Sequence, residues 1–260
     1  SCGGDCNYYS RSETQEKNKE FIGKKEIIMA NEAHKIKLLL LCLVLGCVAL
    51  FLAWGKYGNS VSSYYKEARD KVASSTVQTF RENETSYVYD SNRQEIARLR
   101  TDKDSMYLSA DRIPDAVKKC FIATEDQRFY KHHGVDLKST GKAVYLLVAY
   151  KGEITRGGST ITQQLVKNIF LTQEQSFERK FKEMFYAIEL ERKYTKDQIL
   201  EFYVNDIYYG NGYYGIGAAA KGYFNCTVDQ LSLAQIAYLC AIPNSPTYYD
   251  PRVYPEHTTK

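Results

Sequence analysis

The stretch ATEDQRFYKHHGVD, residues 123–136, sets two carboxylates, Glu125 and Asp126, beside an aromatic, two histidines and a glycine. An apolar stripe at helical spacing, Ile113, Ala116, Val117, Cys120 and Phe121, leads into it and ends just before Glu125. Pro114 suits the first turn of that helix. The two acids therefore fall at a helix C-terminus, where the backbone dipole disfavours anions. Acids placed against that preference point to a working site. His132 and His133 are adjacent, so they do not share a helix face. No third ligand stands at zinc spacing, and His132 reads as a structural hydrogen-bonding residue.

Downstream, RGGSTITQQLVKN, residues 156–168, opens on two glycines, and Ser159 is placed to cap a helix. At 100° per residue, Ser159, Thr160, Gln163, Gln164 and Lys167 fall within one arc of roughly 140°, with Ile161, Leu165 and Ile169 opposite. Uncharged hydrogen-bonding side chains beside one lysine suit a sugar-phosphate ligand. ERKFKEMFYAIELERKY, residues 178–194, predicts an amphipathic helix with Phe181, Met184, Phe185 and Ile188 inward, and Arg179 and Glu183 on the other side. Thr195 to Gln198 and Ser232 to Gln235 have capping-box spacing, and each opens a helix. The first carries Ile199, Phe202 and Tyr203 inward and runs into a Gly-Asn-Gly turn. The second stops before Pro243. Between them the Ala- and Gly-rich GIGAAAKGYF permits close helix contact. Residues 86–99 alternate around an Asp-Ser-Asn turn and read as a small hairpin. Strand patterns are scarce after residue 100, so residues 100–260 form a mainly α domain.

The 260 residues are 44% hydrophobic with a formal net charge of +4, which gives no bulk argument for nucleic acid. One segment stands apart. From Leu38 to Trp54 no charge occurs, a run of about 25 Å as a helix, near the lower limit for crossing a bilayer. It is longer than a signal-peptide core and lacks an A-x-A-like cleavage site. Residues 36–56 are therefore expected to span the membrane once. Lys24, Lys25, Lys35 and Lys37 precede the span, so the N-terminus stays inside and the chain after about residue 56 faces outward. Residues 1–35 read either as a disordered cytoplasmic tail or, over 1–28, as translated leader ahead of a start at Met29. Residues 57–99 read as a polar stalk and the hairpin. The apolar run AVYLLVAY, residues 143–150, is a core helix or a segment dipping into the membrane surface. Seven cysteines show no metal spacing; Cys120 and Cys240 read as buried thiols.

Taken in order, these blocks resemble the peptidoglycan glycosyltransferases of family 51, found in class A penicillin-binding proteins. Glu125-Asp126-x-x-Phe129-x-x-His132-x-Gly134 resembles the first motif, and Gly157-x-Ser159-Thr160-x-x-Gln163-Gln164, with Lys167, the second. Arg179-Lys180-x-x-Glu183 resembles the third. Lys196-x-x-Ile199-Leu200-x-x-Tyr203-Val204-Asn205-x-x-Tyr208-x-Gly210 resembles the fourth, with Val204 where Leu is usual. The likeness covers residues 85–251. The family's Arg-rich fifth motif would follow that point, so residues 100–260 read as a C-terminally incomplete glycosyltransferase domain, part of a longer protein.

The resemblance implies a lysozyme-like, two-lobed fold, with a smaller lobe near the membrane around residues 139–175. It implies polymerisation of lipid II into β-1,4-linked glycan, with release of polyprenyl pyrophosphate. Glu125 is then the base that takes the acceptor hydroxyl's proton. Lys167, Arg179 and Lys180 neutralise the leaving diphosphate, with Mg²⁺ or Mn²⁺ as a further candidate, no resident metal ligands and no organic cofactor. Glu183 orients those cations or positions substrate. Ser159, Thr160, Gln163, Gln164 and Asn205 would bond sugar or phosphate oxygens. Asp126 and Phe129 belong to the same substrate set, Asp126 also bracing the Glu125 loop. Expected partners are lipid II, the growing lipid-linked glycan, the membrane and cell-division or elongation proteins, with no nucleic acid. Two other readings are a membrane-anchored muramidase or lytic transglycosylase and a non-catalytic cell-wall scaffold. The cationic positions argue against the first, because neutral glycan needs no phosphate site.

Overall fold

The computed structural model describes residues 5–81, 85–99, 103–149, 158–172, 174 and 176–257. The chain divides into two compact units, residues 1–60 and 61–260. Both contain part of helix α1 (Asp5–Ser74). The backbone of residues 5–35 is helical, where the sequence leaves a disordered tail as one reading. In the first unit the charge-free run presents large apolar side chains outward, from Leu38 through Leu45 to Phe51, Leu52 and Trp54. Among the described residues no helix is long and apolar enough to cross a membrane. The side chains of Ile36, Ala49, Leu50 and Ala53, within the expected span, lie outside the described residues.

In the second unit the end of α1 is not a free stalk. Ala68 and Val72 are buried in the core, and Lys193 donates to the Val72 and Ala73 carbonyls at 3.0 and 2.7 Å. A cation on those orphan carbonyls closes the helix end. The hairpin forms as its pattern predicts, strand β1 (Ser86–Tyr89) antiparallel to β2 (Glu95–Leu99). Asp90 turns it by accepting the Asn92 and Gln94 N–H groups. The short strands β3 (Asp104–Ser105) and β4 (Tyr213–Tyr214) pair in parallel.

Helices make up the rest: α2 (Asp115–Glu125), α3 (Leu137–Ala149), α4 (Ile161–Phe170), α5 (Phe177–Lys193), α6 (Lys196–Asp206), α7 (Gly215–Phe224) and α8 (Leu233–Ala241). Helix α4 packs against α5 and α6, α2 against α8, and α6 against α7. One apolar core runs through them, centred on aromatics. Phe80 stacks on Phe202 at 4.1 Å between centroids and meets Phe170 and Tyr194 edge-on.

Both predicted capping boxes form, at Thr195 and at Ser232, and Ile199, Phe202 and Tyr203 are buried. The turn Gly210-Asn211-Gly212 takes positive φ throughout. Two patterns depart from expectation. Ala116 is exposed, while Ile113, Val117 and Phe121 are buried. On α5 the buried residues are Glu183, Tyr186, Ala187, Glu189 and Leu190; of the predicted stripe Met184, Phe185 and Ile188 are half-buried, Phe185 against the core, and Phe181 is exposed. The helix is rotated from its apolar stripe because Glu183 is neutralised by Lys180 and so tolerates burial. Residues 143–149 of the apolar run end α3, and residue 150 lies outside the described residues; Tyr145 is exposed, and the side chains of Ala143, Val144 and 146–149 are likewise outside them.

Candidate active site

Helix α2 ends at Glu125 and leaves its carboxylate half-buried. One oxygen accepts from Gln164 Nε2 and the other from Asn244 Nδ2, each at 2.9 Å. Gln164 is itself oriented, since its Oε1 accepts from the buried Tyr203 hydroxyl at 3.0 Å. The carboxylate is thus fixed from two sides, by α4 and by the turn after α8. Burial pushes the Tyr203 phenol well above its ordinary range, so it is a permanent donor.

Asp126 plays a different part. It is buried, and its Oδ2 accepts from His132 Nε2 at 2.8 Å and from the Ile161 N–H at 3.1 Å. The second bond satisfies an orphan donor in the first turn of α4. Beyond His132 the network continues to Glu191, which accepts from Thr162 Oγ1 at 2.6 Å and from Lys196 at 2.7 Å. Lys196 also lies over the Phe129 ring at 4.4 Å, and burial lowers its pKa. Asp126 therefore locks α2, the His132 turn and α4 together. Asp126→Ala should cost about 2–3 kcal/mol, the penalty for stranding two buried donors, read as a shift in urea midpoint at unchanged slope.

Several residues expected to meet substrate are interior. Phe129 is fully buried in the core. Thr160, not Ser159, caps α4, in a reciprocal box with Gln163. Thr160 Oγ1 also donates to the Gly134 carbonyl at 2.6 Å, so neither Thr160 nor Gln163 reaches solvent. Asn205 is buried as well. Its Oδ1 accepts from the Leu108 N–H, and its Nδ2 donates to the Leu108 and Glu201 carbonyls. These five, Asp126 included, are interior and hold elements in place.

Of the predicted polar arc, Gln164 and Lys167 share the wall of a cavity of about 520 Å³. Asn168, Tyr203, Asp206 and Lys103 stand on the same wall. Glu125 is not on the lining but bonds directly to Gln164, and its other partner, Asn244, follows the lining residue Pro243. Arg179, Lys180 and Glu183 are on α5, outside the lining. There Lys180 pairs with buried Glu183 and donates to Ser159 Oγ at 2.8 Å, while Arg179 keeps a buried Nε without a partner. The third motif thus backs onto the second through Ser159 and is separate from the cavity. Among the described residues no cluster of three His, Cys, Asp or Glu side chains could hold a metal ion.

Asn244 and Asp206 were not visible as site residues in the sequence. Asn244 sits between two prolines with no periodic link to α2, and only the packing of α2 on α8 joins them. Asp206 ends a helix, a place where acids are commonly solvated.

The arrangement suits proton abstraction from an alcohol by a fixed carboxylate beside a cavity with a lysine for an anionic ligand. Comparison with known proteins agrees. The family model described as Transglycosylase matches residues 92–260. Penicillin-binding protein 1F of Bacillus subtilis (strain 168) is 49% identical over 172 residues, 66% of this chain and 24% of that protein. A monofunctional glycosyltransferase of Staphylococcus haemolyticus (strain JCSC1435) is 45% identical over 170 residues, 62% of each chain. Penicillin-binding protein 1A of Escherichia coli (strain K12) is 47% identical over 150 residues, 58% of this chain and 18% of that one. The chain spans about a quarter of the length of the first of these relatives. With the family model covering most of the chain and the motifs in its order, the chain belongs to the transglycosylase family, glycosyltransferase family 51.

Proposed function

We propose that this protein polymerises lipid II, joining disaccharide units by β-1,4 bonds and releasing polyprenyl pyrophosphate. The observation that supports it most is the Glu125–Gln164 hydrogen bond, which ties a fixed carboxylate to the wall that also carries Lys167. Glu125 takes the proton of the acceptor's sugar hydroxyl as that oxygen attacks the anomeric carbon of the lipid-linked strand. The anomeric carbon–oxygen bond to diphosphate breaks, and its electron pair leaves with the diphosphate. Lys167 balances that charge, with Mg²⁺ or Mn²⁺ travelling as the diphosphate's counter-ion. Arg179, Lys180 and Glu183 act at the other side of α4, through Ser159. The lysozyme-like division into two lobes and a cleft running outward from the bilayer belong to this reading.

A bilayer anchor at residues 36–56 fits the same chemistry. Outward-facing leucines along a charge-free helix are a liability in water and natural in lipid. The substrate's tail holds it in the membrane, so an enzyme at that surface meets it at high local concentration.

The test is incubation of the purified full chain with lipid II and, separately, with glycan strands. Polymerisation with diphosphate release supports the proposal; cleavage of strands would replace it with a lytic activity. Lys167→Ala should weaken binding of diphosphate-bearing ligands about tenfold or more while sparing plain glycan, as measured by calorimetry. Equal losses for both ligands would remove Lys167 from the phosphate role.

A further inference from the structure

We propose that Asp206 is a specificity-determining acid of the cavity, sharing its wall with Lys103 and Lys167 so that its charge sets how firmly a diphosphate is held there. The inference rests on the reading of Lys167 as a phosphate ligand. Asp206 closes α6, and its Oδ2 accepts from Asn168 Nδ2 at 2.9 Å, which fixes the carboxylate toward α4. Lys103 reaches the same wall from the segment before β3, and Lys167 from α4. The phenols of Tyr203, on α6 itself, and Tyr214, on β4, also feel this carboxylate, and Arg81 and Tyr107 line a smaller cavity on its other side with Tyr214.

An acid on a diphosphate wall does two things. In the free enzyme it attracts the lysines and competes with the ligand for them. In the complex it repels the ligand. Both effects weaken retention of the departing diphosphate, and both vanish when the acid is protonated. Burial raises the Asp206 pKa, with Asn168, Lys103 and Lys167 pulling the other way, which moves that change toward working pH.

The probe is inorganic pyrophosphate, titrated by calorimetry into the full chain in detergent from pH 5 to 8.5. Wild type is compared with Asp206→Asn, an isosteric change that still accepts from Asn168. The ligand's own titration is common to both proteins and cancels in their ratio. At pH 8 the variant should bind about three- to tenfold tighter, the size of a partly screened charge pair in a wet cavity. The ratio should fall toward one as pH drops and the wild-type acid takes its proton. Lys167→Ala reports on the underlying reading. If it loses pyrophosphate binding while Asp206→Asn binds no tighter than wild type at pH 8, the inference about Asp206 fails and the phosphate site stands. If Lys167→Ala binds as wild type does, both fail.

Melting separates a structural role. Because the folded pKa is raised, the charged acid destabilises the fold at pH values above its titration. The variant should therefore melt higher than wild type at pH 8, with the gain lost as pH falls. A lower melting point at every pH would mark Asp206 as structural and overturn the proposal.

Discussion

Replacing Glu125 by glutamine will abolish glycan polymerisation while lipid II still binds. A sugar hydroxyl holds its proton far too tightly to attack unaided at neutral pH, and a positioned base is typically worth 10²–10⁴-fold. Glutamine keeps the size of the side chain and removes only its capacity to take the proton. The local geometry permits the exchange. Both carboxylate oxygens accept from amides, so the new NH₂ must turn toward a partner able to offer an oxygen. Gln164 is pinned by the Tyr203 hydroxyl, but Asn244 is exposed and free to rotate its amide by 180°. The variant should therefore fold, melt within about a degree or two of wild type, and turn over at least 10²-fold more slowly. Retained turnover would take Glu125 out of the base role.

The second large effect concerns stability. Gly134 lies in the turn that carries His132 to α3 and has a φ of +88°. A Cβ there would come within 2.6 Å of the Ala187 carbonyl carbon and oxygen on α5, and within 2.7 Å of the Ile188 nitrogen. Those are backbone atoms inside a buried helix, so the neighbour cannot yield as a side-chain tip would. The same residue's carbonyl accepts from Thr160, the cap of α4, so a shift of this turn is passed to the helix that carries Gln164 and Lys167. Gly134→Ala combines a forbidden dihedral with a clash, and should cost more than about 3 kcal/mol. For a domain of this size that is a fall in melting temperature of roughly 10 °C. Gly141→Ala is the matched control. It lies within α3 with open space where its Cβ would go, and helix propensity favours alanine there by about 1 kcal/mol. If Gly134→Ala melts as Gly141→Ala does, the close approach of this turn to α5 is not what holds the site.

Much of this was legible because local rules and the final packing agree. Thr195–Gln198 and Ser232–Gln235 announce helix starts by spacing alone, and both boxes form. The hairpin around Asp90 and the placement of Glu125 and Asp126 at the end of α2 follow from patterning and turn chemistry. The misreadings share a root: spacing does not say how a polar group is spent. Thr160 and Gln163 carry that same capping spacing, yet the helical-wheel projection set them beside Gln164 as ligand-facing. A wheel treats all polar residues alike, and the first turn of a helix consumes its own. On α5 the wheel failed the opposite way. Glu183 counted as solvated because a charge on a helix usually is, and the Lys180 partner that lets it go inside is a local pair of little diagnostic weight. Asn205 matches its motif, but periodicity cannot say that its amide is spent on Leu108 nearly a hundred positions upstream. Asn244 and the link from Asp126 through His132 toward Glu191 and Lys196 join distant segments, and no spacing encodes them.

The most direct measurement is a crystal structure of the Glu125→Gln protein with lipid II bound in the cavity. The diphosphate should lie against Lys167, and the acceptor's sugar hydroxyl should fall within about 2.6–3.2 Å of the residue 125 side chain. A diphosphate bound away from Lys167, or an acceptor hydroxyl beyond the reach of residue 125, would contradict it.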